Sequence, residues 1–449
     1  MNNKNLRYVF FSALVAALGG FLFGFDTAVI SGAEKSVQEV FNLDGFWHGF
    51  TVAIALIGTV FGALFAGKPA DILGRKKCLI AIGILYAVSA AGSALAGTWL
   101  PFLFYRFIGG LGVGASSVVG PMYISEISPA HLRGRLVALF QFNVVFGILV
   151  SFFSNYLLSS IGENAWRWMF GVEFFPATLF FFLVLMIPNS PRWLVRKDRI
   201  EDARKVLELV GESNVESAVK DIAHSLQAAA DSGAVRLFTS KYRLPIMLAV
   251  LLATFNQLSG INALMYYAPR IFQMAGIEKD ASFLQAVAIG LTNLVVTIIA
   301  MSLIDRFGRK RLMIVGSIGT CFALGMVSYT FFTESFAGYN ILIYLMIFQG
   351  FFAFSQGTVI WVFLAEIFPN RVRGKGQALG SFTHWAWAAA ISWLFPLVAE
   401  ISENPAVGGR YSFLFFSVMM VFQLIFAWKI MPETKGRTLE QIERDLKIS

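Results

Sequence analysis

Glu126-Ile-Ser-Pro-Ala-His-Leu-Arg-Gly-Arg135 returns later in the chain as Glu366-Ile-Phe-Pro-Asn-Arg-Val-Arg-Gly-Lys375. A second stretch, Asp71-Ile-Leu-Gly-Arg-Lys-Lys77, returns in the same order as Asp305-Arg-Phe-Gly-Arg-Lys-Arg311. Every copy lies between long apolar runs, so the two halves of the chain are duplicates. A duplicated membrane domain with matching charged loops is typical of transporters built from two similar helical bundles.

The composition points to lipid as the main solvent of this chain. Hydrophobic residues make up 57% of its 449 residues and charged residues 14%, and the mean hydropathy is +0.67. A soluble protein would carry about 25% charged residues. We therefore predict an all-α membrane protein with twelve transmembrane helices in two six-helix bundles. The twelve apolar segments lie at 8–30, 49–69, 78–98, 100–122, 136–158, 166–187, 244–268, 283–304, 312–332, 340–364, 376–399 and 409–430.

The net charge of +9 follows membrane topology rather than nucleic-acid binding. With the N-terminus placed in the cytoplasm, thirty of the 36 Lys and Arg residues fall on the cytoplasmic side and five on the other. Cytoplasmic enrichment of Lys and Arg predicts a multi-pass inner-membrane protein with both termini inside the cell. The first apolar run is too long for a typical signal peptide and contains Asp26, so we interpret it as a retained helix.

The longest polar interval divides the chain into three predicted parts. Residues 1–190 form an N-terminal six-helix bundle, 191–242 a cytoplasmic helical linker, and 243–449 a C-terminal bundle with a short tail. Within the linker, apolar residues at helical spacing predict short surface helices over 199–210 and 215–229.

Other classes of function find little support in the sequence. Two cysteines, Cys78 and Cys321, favour neither a disulfide framework nor a metal site. There is no nucleophile–base pair, phosphate loop or metal cluster, so we expect neither an enzyme nor a bound cofactor. The glycine run Gly109–Gly114 lies inside an apolar helix, where close helix packing explains it better than a dinucleotide site.

The four charged loops predict a latch on the cytoplasmic side. Glutamate and arginine in each longer loop can meet across a short turn, and the shorter loops add aspartate and arginine. Ion pairs between the bundles would hold this side shut and part when it opens; the alternative is plain topology anchoring. The candidate latch residues are Asp71, Arg75, Glu126, Arg133, Asp305, Arg309, Glu366 and Arg373.

Two ionisable residues inside predicted spans point to proton coupling. Asp26 lies in the first span and Arg106 in the fourth. Such groups are expensive in a membrane, so they usually face a cavity and pair. A carboxylate whose distance from an arginine changes between conformations changes its proton affinity with access. The alternative is a permanent structural ion pair. Glu173 in the sixth span is a further buried candidate without an assignable partner.

A set of neutral polar and aromatic side chains predicts a binding site for an uncharged polar molecule. Amides donate and accept hydrogen bonds at once, which suits sugar hydroxyls, and indole rings can stack on the apolar face of a pyranose. Gly260 could loosen the helix beside this set. For any single amide, a role in helix association is equally plausible. The candidates are Gln141, Asn256, Gln257, Asn262, Tyr266, Asn293, Trp361, His384 and Trp385.

At these residues the chain resembles the sugar porter family of the major facilitator superfamily, and within it the bacterial pentose and hexose–proton symporters. The similarity covers nearly the whole length. Its motifs include Gly24-Phe-Asp-Thr-Ala-Val-Ile-Ser-Gly32, Arg106-Phe-Ile-Gly-Gly-Leu-Gly-Val-Gly114, Pro188-Asn-Ser-Pro-Arg-Trp-Leu194, Gln257-Leu-Ser-Gly-Ile-Asn262 and Pro432-Glu-Thr-Lys-Gly-Arg437.

The resemblance implies alternating access around a central monosaccharide site. It assigns the amides, tyrosine and tryptophans above to positions that contact sugar. It also assigns Asp26 to the acidic residue that proton symporters carry and that passive facilitators typically replace by a neutral one. The partners expected are a monosaccharide, a proton and the lipid bilayer. We expect a monomer, although the sequence does not itself give the oligomeric state.

Four departures from the family pattern bear on the substrate more than on the mechanism. Asn256-Gln257 stands where a Gln-Gln pair is usual, and His384 where Gln or Asn is familiar. Gly357-Thr358 replaces Gly-Pro, so the tenth span is expected to be less kinked, and Pro188-Asn-Ser replaces Pro-Glu-Ser. Xylose, glucose, galactose, arabinose and a cyclic polyol all fit such a site. A passive uniporter and, with less support, a membrane sugar sensor are the alternatives.

Overall fold

The computed structural model describes residues 3–231, 236–336, 338–369, 371–437 and 439–446. Over these residues the chain is helical, without a strand. The helices of the first half and of the segment after it are α1 (Asn3–Val40), α2 (Gly45–Phe65), α3 (Gly67–Leu73), α4 (Arg75–Leu95), α5 (Trp99–Ile127), α6 (Arg133–Leu158), α7 (Ala165–Gly171), α8 (Phe174–Met186), α9 (Pro191–Arg196), α10 (Ile200–Leu209) and α11 (Val215–Asp231).

The second half repeats this pattern of long apolar helices. Its helices are α12 (Arg243–Leu258), α13 (Ile261–Met274), α14 (Lys279–Phe307), α15 (Arg309–Thr333), α16 (Asn340–Phe354), α17 (Gln356–Glu366), α18 (Arg373–Ala399), α19 (Pro405–Lys429) and α20 (Leu439–Asp445).

Twelve helical segments of the described chain are long and apolar enough to cross a membrane, as predicted. Three of these spans consist of two helices each: α7 with α8 is the sixth span, α12 with α13 the seventh, and α16 with α17 the tenth. The two predicted linker helices form as α10 and α11. The sequence did not predict α9, which begins where Ser190 accepts a hydrogen bond from the Trp193 backbone.

The first helix is longer than its predicted apolar segment. That segment ends at residue 30, whereas α1 continues to Val40 and carries Glu34 and Lys35. Hydropathy falls at these charges, but the helix continues because Glu34 is buried among polar partners. The end of the spans near Val40 is called the distal end below, and the end near the chain termini the proximal end.

Contacts divide the chain into two compact units. Unit 1 comprises Met1–Asp26, Gly58–Ile148 and Phe170–Val235, and unit 2 comprises Thr27–Ile57, Leu149–Met169 and Arg236–Ser449. Unit 2 therefore contains the second half of the chain together with the distal segments of α1, α2, α6 and the start of α7. The predicted domain boundaries after residues 190 and 242 follow the duplication in the sequence and not these contacts, and they stay a prediction.

Glycines allow α2 and α5 to pack closely inside unit 1. A Cβ atom at Gly58 or Gly62 would lie 2.4 Å from the carbonyl oxygen of Phe107 or Leu111, respectively. From the other helix, a Cβ at Gly114 would lie 2.2 Å from the Thr59 carbonyl oxygen. These distances leave no space for a side chain, which confirms that the glycine run in α5 serves helix packing.

The seventh and tenth spans are both interrupted. Gly260 has a φ of +82°, which ends α12 and starts α13, as expected for a residue without a Cβ. In the tenth span the break lies at Ser355, with φ −116° and ψ −83°. This interruption comes just before Gly357-Thr358 and does not depend on a proline. That the span is less kinked than one with Gly-Pro stays a prediction.

We predict that Gly260→Ala destabilises the protein more than Gly276→Ala. Both glycines have positive φ, but a Cβ at Gly260 would lie 2.4 Å from the Phe416 ring, whereas Gly276 has nothing within 4 Å. The backbone conformation alone should cost Gly276→Ala about 1 kcal/mol, and the added overlap should raise the cost of Gly260→Ala to about 3 kcal/mol. Thermal unfolding in detergent measures both. Equal losses of stability would contradict a tight contact at Phe416.

Candidate functional site

The predicted ion pair between the first and fourth spans is present in unit 1. Arg106 Nη1 donates to Asp26 Oδ1 at 2.6 Å, and Arg106 Nη2 lies 3.3 Å from the Asp26 carbonyl oxygen. Both side chains are 2% exposed. The guanidinium also lies over the Phe170 ring, 5.1 Å from its centroid, so an aromatic wall covers the pair.

Glu173, which the sequence left without a partner, joins this pair. Its carboxyl is close enough to Asp26 and Arg106 for direct electrostatic interactions with both. Glu173 is 1% exposed, and its Oε1 has no hydrogen-bond partner among the described residues. Two carboxyl groups and one guanidinium thus share a deeply buried site. The site carries no net charge only when it also holds one proton.

Gly109 leaves room for this group. A Cβ atom there would lie 2.4 Å from Ser89 Oγ and 3.2 Å from Asp26 Oδ1. The glycine follows Arg106 by three residues, so it faces the same side of α5. The sequence Arg106-Phe-Ile-Gly109 therefore supplies both the arginine that pairs with Asp26 and the space beside the Asp26 carboxylate.

In unit 2, amide side chains meet at the break in the seventh span. Asn262 Nδ2 donates to Gln257 Oε1 at 2.6 Å, and Gln257 Nε2 donates to Asn256 Oδ1 at 3.0 Å. Asn256 in turn donates to the Gln356 backbone carbonyl at 3.3 Å, next to the break in the tenth span. Gly260 makes this possible, because its left-handed conformation turns α13 so that Asn262 reaches back to Gln257.

His384 connects the amides to two tryptophans. Its ring nitrogens lie 3.2 Å (Nδ1) and 3.1 Å (Nε2) from Gln257 Nε2. The imidazole ring lies 5.0 Å from the Trp361 ring and 4.9 Å from the Trp385 ring, centroid to centroid. The structure thus brings together six of the nine predicted ligand-binding residues: Asn256, Gln257, Asn262, Trp361, His384 and Trp385.

The other three candidates are placed as follows. Tyr266 is buried in α13, one turn after Asn262. Asn293 is buried in α14, and its Oδ1 accepts a hydrogen bond from Thr297 Oγ1 at 3.4 Å, within the same helix. Gln141 is half-buried in α6 and belongs to unit 1.

Comparison with known proteins decides the family. The Sugar (and other) transporter family matches residues 12–446. The D-xylose-proton symporter of Escherichia coli (strain K12) is 38% identical, with 99% of this chain and 97% of the symporter covered. The arabinose-proton symporter of Bacillus subtilis (strain 168) is 33% identical, with 98% and 96% covered.

This chain belongs to the sugar transporter family. The inward-open structure of the xylose transporter XylE from E. coli superposes with a TM-score of 0.86, at 36% identity, and covers 97% of this chain and 99% of that one. The chain is therefore a multi-pass membrane protein with the major facilitator fold, as the sequence predicted, and not an enzyme.

This sugar transporter chain carries a charged network at the proximal end of its first half. Arg75 Nη2 donates to Glu126 Oε1 at 2.8 Å, and Ser190 Oγ donates to the other oxygen of the same carboxylate. Asp71 accepts from Arg75 at 3.2 Å and pairs with Arg196 at 2.7 Å. The network borders a cavity of about 770 Å³ and lies entirely within unit 1.

The second half repeats the network within unit 2. Arg309 Nη2 donates to Glu366 Oε1 at 2.9 Å, and Thr434 Oγ1 donates to Glu366 Oε2 at 2.6 Å. Thr434 thus takes the place that Ser190 has in the first copy. The side chain of Asp305, another predicted latch residue, lies outside the described residues.

The predicted pairing inside each longer loop is wrong. Arg133 donates to the Ser125 carbonyl at 3.1 Å rather than to Glu126, and Arg373 donates to the Phe368 carbonyl at 3.3 Å rather than to Glu366. Arg75 and Arg309, the arginines of the shorter loops, pair with Glu126 and Glu366 instead. The ion pairs Arg75–Glu126 and Arg309–Glu366 therefore each join two loops of the same half.

The sequence also missed a polar cluster at the distal end, within unit 2. Glu34 Oε2 lies 2.7 Å from His48 Nε2 and 3.0 Å from Arg270 Nη1. Arg270 also pairs with Glu400 at 2.5 Å, and Gln38 donates to Glu400 at 2.9 Å. The available signal was a glutamate only eight residues after Asp26, on a helix that continues beyond the apolar run.

The two proximal networks differ at one capping residue. In the second copy, Glu433 accepts from the backbone nitrogens of Arg309 at 2.9 Å and Lys310 at 3.1 Å, so a carboxylate caps α15. The first copy has Asn189 at the corresponding position, immediately before Ser190, and the N-cap residue of α4, Gly74, offers no side-chain hydrogen bond. Among the described residues no side chain takes the place of Glu433 at the start of α4. The departure Pro188-Asn-Ser thus removes the cap at the start of one span.

We predict that Asn189→Glu stabilises the protein and that Glu433→Gln destabilises it. A carboxylate at the start of α4 would accept from free backbone N–H groups and interact favourably with the helix dipole, for a gain of about 0.5–1 kcal/mol. Loss of the charge at Glu433 should cost about 1 kcal/mol. Thermal unfolding at low salt measures both changes. An unchanged or lower melting temperature for Asn189→Glu would show that the two copies are not equivalent here.

Proposed function

We propose that this chain is a proton-coupled importer of monosaccharides, pentoses or hexoses, that works by alternating access in a bacterial-type inner membrane. The observation that carries the proposal is the buried group of Asp26, Arg106 and Glu173 in a member of a family whose relatives include D-xylose– and arabinose–proton symporters. Both termini are placed in the cytoplasm by the distribution of Lys and Arg. We propose a monomer in the lipid bilayer, because one chain carries both copies of the duplicated bundle.

The buried group is suited to carry the coupled proton. With both carboxylates ionised, it has one negative charge in excess, which is costly in a site without water. A proton taken from the periplasm removes that charge and permits sugar binding. When the cytoplasmic side opens, water reaches the carboxylates, solvates the charge and lets the proton leave inward. Arg106 holds Asp26 in place throughout and sets which carboxyl releases the proton.

The amide cluster is suited to bind an uncharged sugar. Gln257 lies at its centre and contacts Asn256, Asn262 and His384, so its amide is oriented before a ligand arrives. Each amide and the neutral imidazole can donate or accept, which matches hydroxyl groups that do both. Trp361 and Trp385 flank His384 and offer apolar faces to the sugar ring. We assign Gln141, Tyr266 and Asn293 to the same site, as the resemblance implies.

The proximal networks are suited to act as a latch, although not through the pairs first expected. In the first half, the network joins the loop after the second span, the loop after the fourth span and the segment after the sixth span. In the second half, it joins the loops after the eighth and tenth spans and the segment after the twelfth span. We propose that these ties keep the loop ends of each half together while the cytoplasmic side opens and closes. Arg133 and Arg373, which hold backbone carbonyls, fix the turns that present Glu126 and Glu366.

We predict that Gln257→Ala and Trp385→Ala weaken sugar binding. Removal of the Gln257 amide leaves Asn262 without its acceptor and removes a hydrogen-bonding group that the sugar would use. The affinity for the sugar should therefore fall by about 10- to 100-fold. Removal of the indole deletes a stacking face. Isothermal titration calorimetry with the transported sugar measures the change. Gln423→Ala, which removes a buried amide of α19 that makes no side-chain hydrogen bond among the described residues, is the matched control. Unchanged affinity in the two variants would remove both residues from the site.

The proposed function is tested by sugar-evoked proton movement in proteoliposomes, with a panel of pentoses, hexoses and inositol. We expect one sugar to make the outside medium more alkaline as proton and sugar enter together. In Asp26→Asn we expect no proton movement and no uphill accumulation, while exchange of sugar across the membrane continues. Sugar entry without proton movement in the parent protein would make this chain a uniporter, and accumulation at the parent level in Asp26→Asn would end the coupling role of this residue.

A further inference from the structure

A cavity at the proximal end of unit 1 has no part in the function proposed above. It has a volume of about 770 Å³ and is lined by residues of α3, α4 and α5 and of the linker helices α9 and α11. Binding sites for small molecules typically measure about 300–1,000 Å³. The charged side chains in its wall are Asp71, Arg75, Glu126, Arg192 and Arg196. The cavity therefore has the size and the polar wall of a site for a small charged molecule.

The wall of this cavity holds three guanidinium groups but only two carboxylates. Glu126 pairs with Arg75 at 2.8 Å, and Asp71 pairs with Arg75 at 3.2 Å and with Arg196 at 2.7 Å. Both carboxylates are thus engaged by two of the arginines. Arg192 has no ion-pair partner among the described residues, so the wall carries one positive charge in excess. Because Arg192 and Arg196 are exposed, a soluble ligand can reach them.

The charged groups next to the cavity do not reverse this excess. On α3, the first turn of α4 and the described part of α11, four basic residues outside the wall stand against two acidic ones, and one of these acids, Glu216, pairs with Arg204 of α10. These residues are Lys68, Lys76, Lys77, Lys220, Glu216 and Asp221. The segments that follow α5 and α9 add Arg133, Arg135 and Lys197 against Asp198. The surroundings of the cavity therefore also attract an anion.

Arg75 supplies an unused hydrogen-bond donor in the wall of the cavity. Its side chain is 6% exposed, and its two terminal nitrogens donate to the Ala70 carbonyl at 2.9 Å and to Glu126 at 2.8 Å. Its Nε has no hydrogen-bond partner among the described residues. A buried N–H group without an acceptor is rare in folded proteins and costs free energy. An oxygen atom of a ligand beside Arg75 would remove this cost.

The duplication gives a second indication that an anion is missing here. In the second copy, Glu433 adds a carboxylate that accepts from the backbone nitrogens of Arg309 and Lys310. In the first copy, neutral Asn189 stands at this position, next to the serine whose hydroxyl donates to Glu126. The first copy is therefore one carboxylate short where the second copy provides an anion from its own chain.

We propose that this cavity binds a phosphorylated monosaccharide. Arg192 and Arg196 are four residues apart, so they lie on one side of α9 and can hold one phosphate group between them. A guanidinium presents paired N–H donors that match phosphate oxygens. The cavity is larger than a phosphate ion requires, and Gln227 and Asp71 in its wall can bond the hydroxyl groups of a sugar.

The phosphate site rests on the cavity alone, whereas its assignment to a sugar ester rests on the proposed function. That function places the proximal end in the cytoplasm, where it delivers a free monosaccharide. Phosphoryl transfer to a hydroxyl group of that sugar is the class of reaction that yields such an ester. The product of the step after import would then bind to the transporter that supplies it.

The test measures binding directly and needs no transport. The full chain in nanodiscs of zwitterionic lipid is titrated in phosphate-free buffer with glucose 6-phosphate, ribose 5-phosphate and inorganic phosphate, and isothermal titration calorimetry records the heat. We expect at least one of the two esters to bind at one site per chain, about tenfold or more tightly than inorganic phosphate. Equal affinity for inorganic phosphate and both esters, or no binding of either ester, would overturn the proposal.

Two variants remove the site in different ways. Arg192→Gln removes the excess charge, and Ala223→Trp fills the cavity from the exposed side of α11 without a change of charge. We expect both to weaken binding of the ester by about tenfold or more. Arg199→Gln, which removes a linker arginine that pairs with Asp202 outside the cavity, should leave binding unchanged. Undiminished binding in Arg192→Gln or in Ala223→Trp would overturn the proposal.

Two further measurements separate this cavity from other binders of the same ester. Gln257→Ala, which is expected to weaken sugar binding at the amide cluster, should bind the ester as the parent protein does. Loss of ester binding in Gln257→Ala but not in Arg192→Gln would assign the ester to the amide cluster and overturn the proposal, although the proposed function would stand. In nanodiscs with one third phosphatidylglycerol we expect the ester still to bind. Its loss there would show that a lipid phosphate takes the cavity, and would also overturn the proposal.

Discussion

Charge balance without water is the constraint on which the rest of this structure depends. In lipid, an ionised side chain inside a span must find a partner of opposite charge or bind a proton. The chain meets this constraint at Asp26, where one arginine faces the carboxyl groups of Asp26 and Glu173. With both carboxyl groups ionised, this buried group lacks one positive charge. A second arginine, Arg270, faces Glu34 and Glu400, but Glu400 is one-third exposed, so solvent shares its charge.

The features that the sequence could predict are those set by local signals. Twelve spans follow from apolar length, the break at Gly260 from a residue without a Cβ, and the Asp26–Arg106 pair from the rarity of charge in an apolar run. The partners of Glu126 and Glu173 could not be predicted in this way. Arg75 and Arg133 are equally plausible for Glu126 along the chain, and only the packing of α3, α4 and α5 decides between them. The extent of α1 was missed for a related reason, because burial of Glu34 depends on His48 and Arg270, which are distant in sequence.

The duplication is reproduced at the level of single hydrogen bonds. Ser190 donates to Glu126 and Thr434 to Glu366, and the same two glutamates pair with Arg75 and Arg309, respectively. The copies differ where Asn189 stands opposite Glu433. In the second copy Glu433 thereby binds the backbone at the start of α15. In the first copy an ion pair of Asp71 with Arg196 adds a tie to the segment after the sixth span.

The close contact of α2 with α5 limits how these two helices can move. Because Gly58, Gly62 and Gly114 have no Cβ, the two helix backbones approach closely. An added Cβ at any of the three would lie within 2.4 Å of a carbonyl oxygen of the facing helix. A shift by one residue along the axis would drive a side chain into a carbonyl, and a rotation about the axis would do the same. Over residues 58–65 of α2 the two helices therefore keep one register, and this part of α2 is expected to move together with α5. Residues 45–57 of α2 belong to unit 2 and are not held by these contacts.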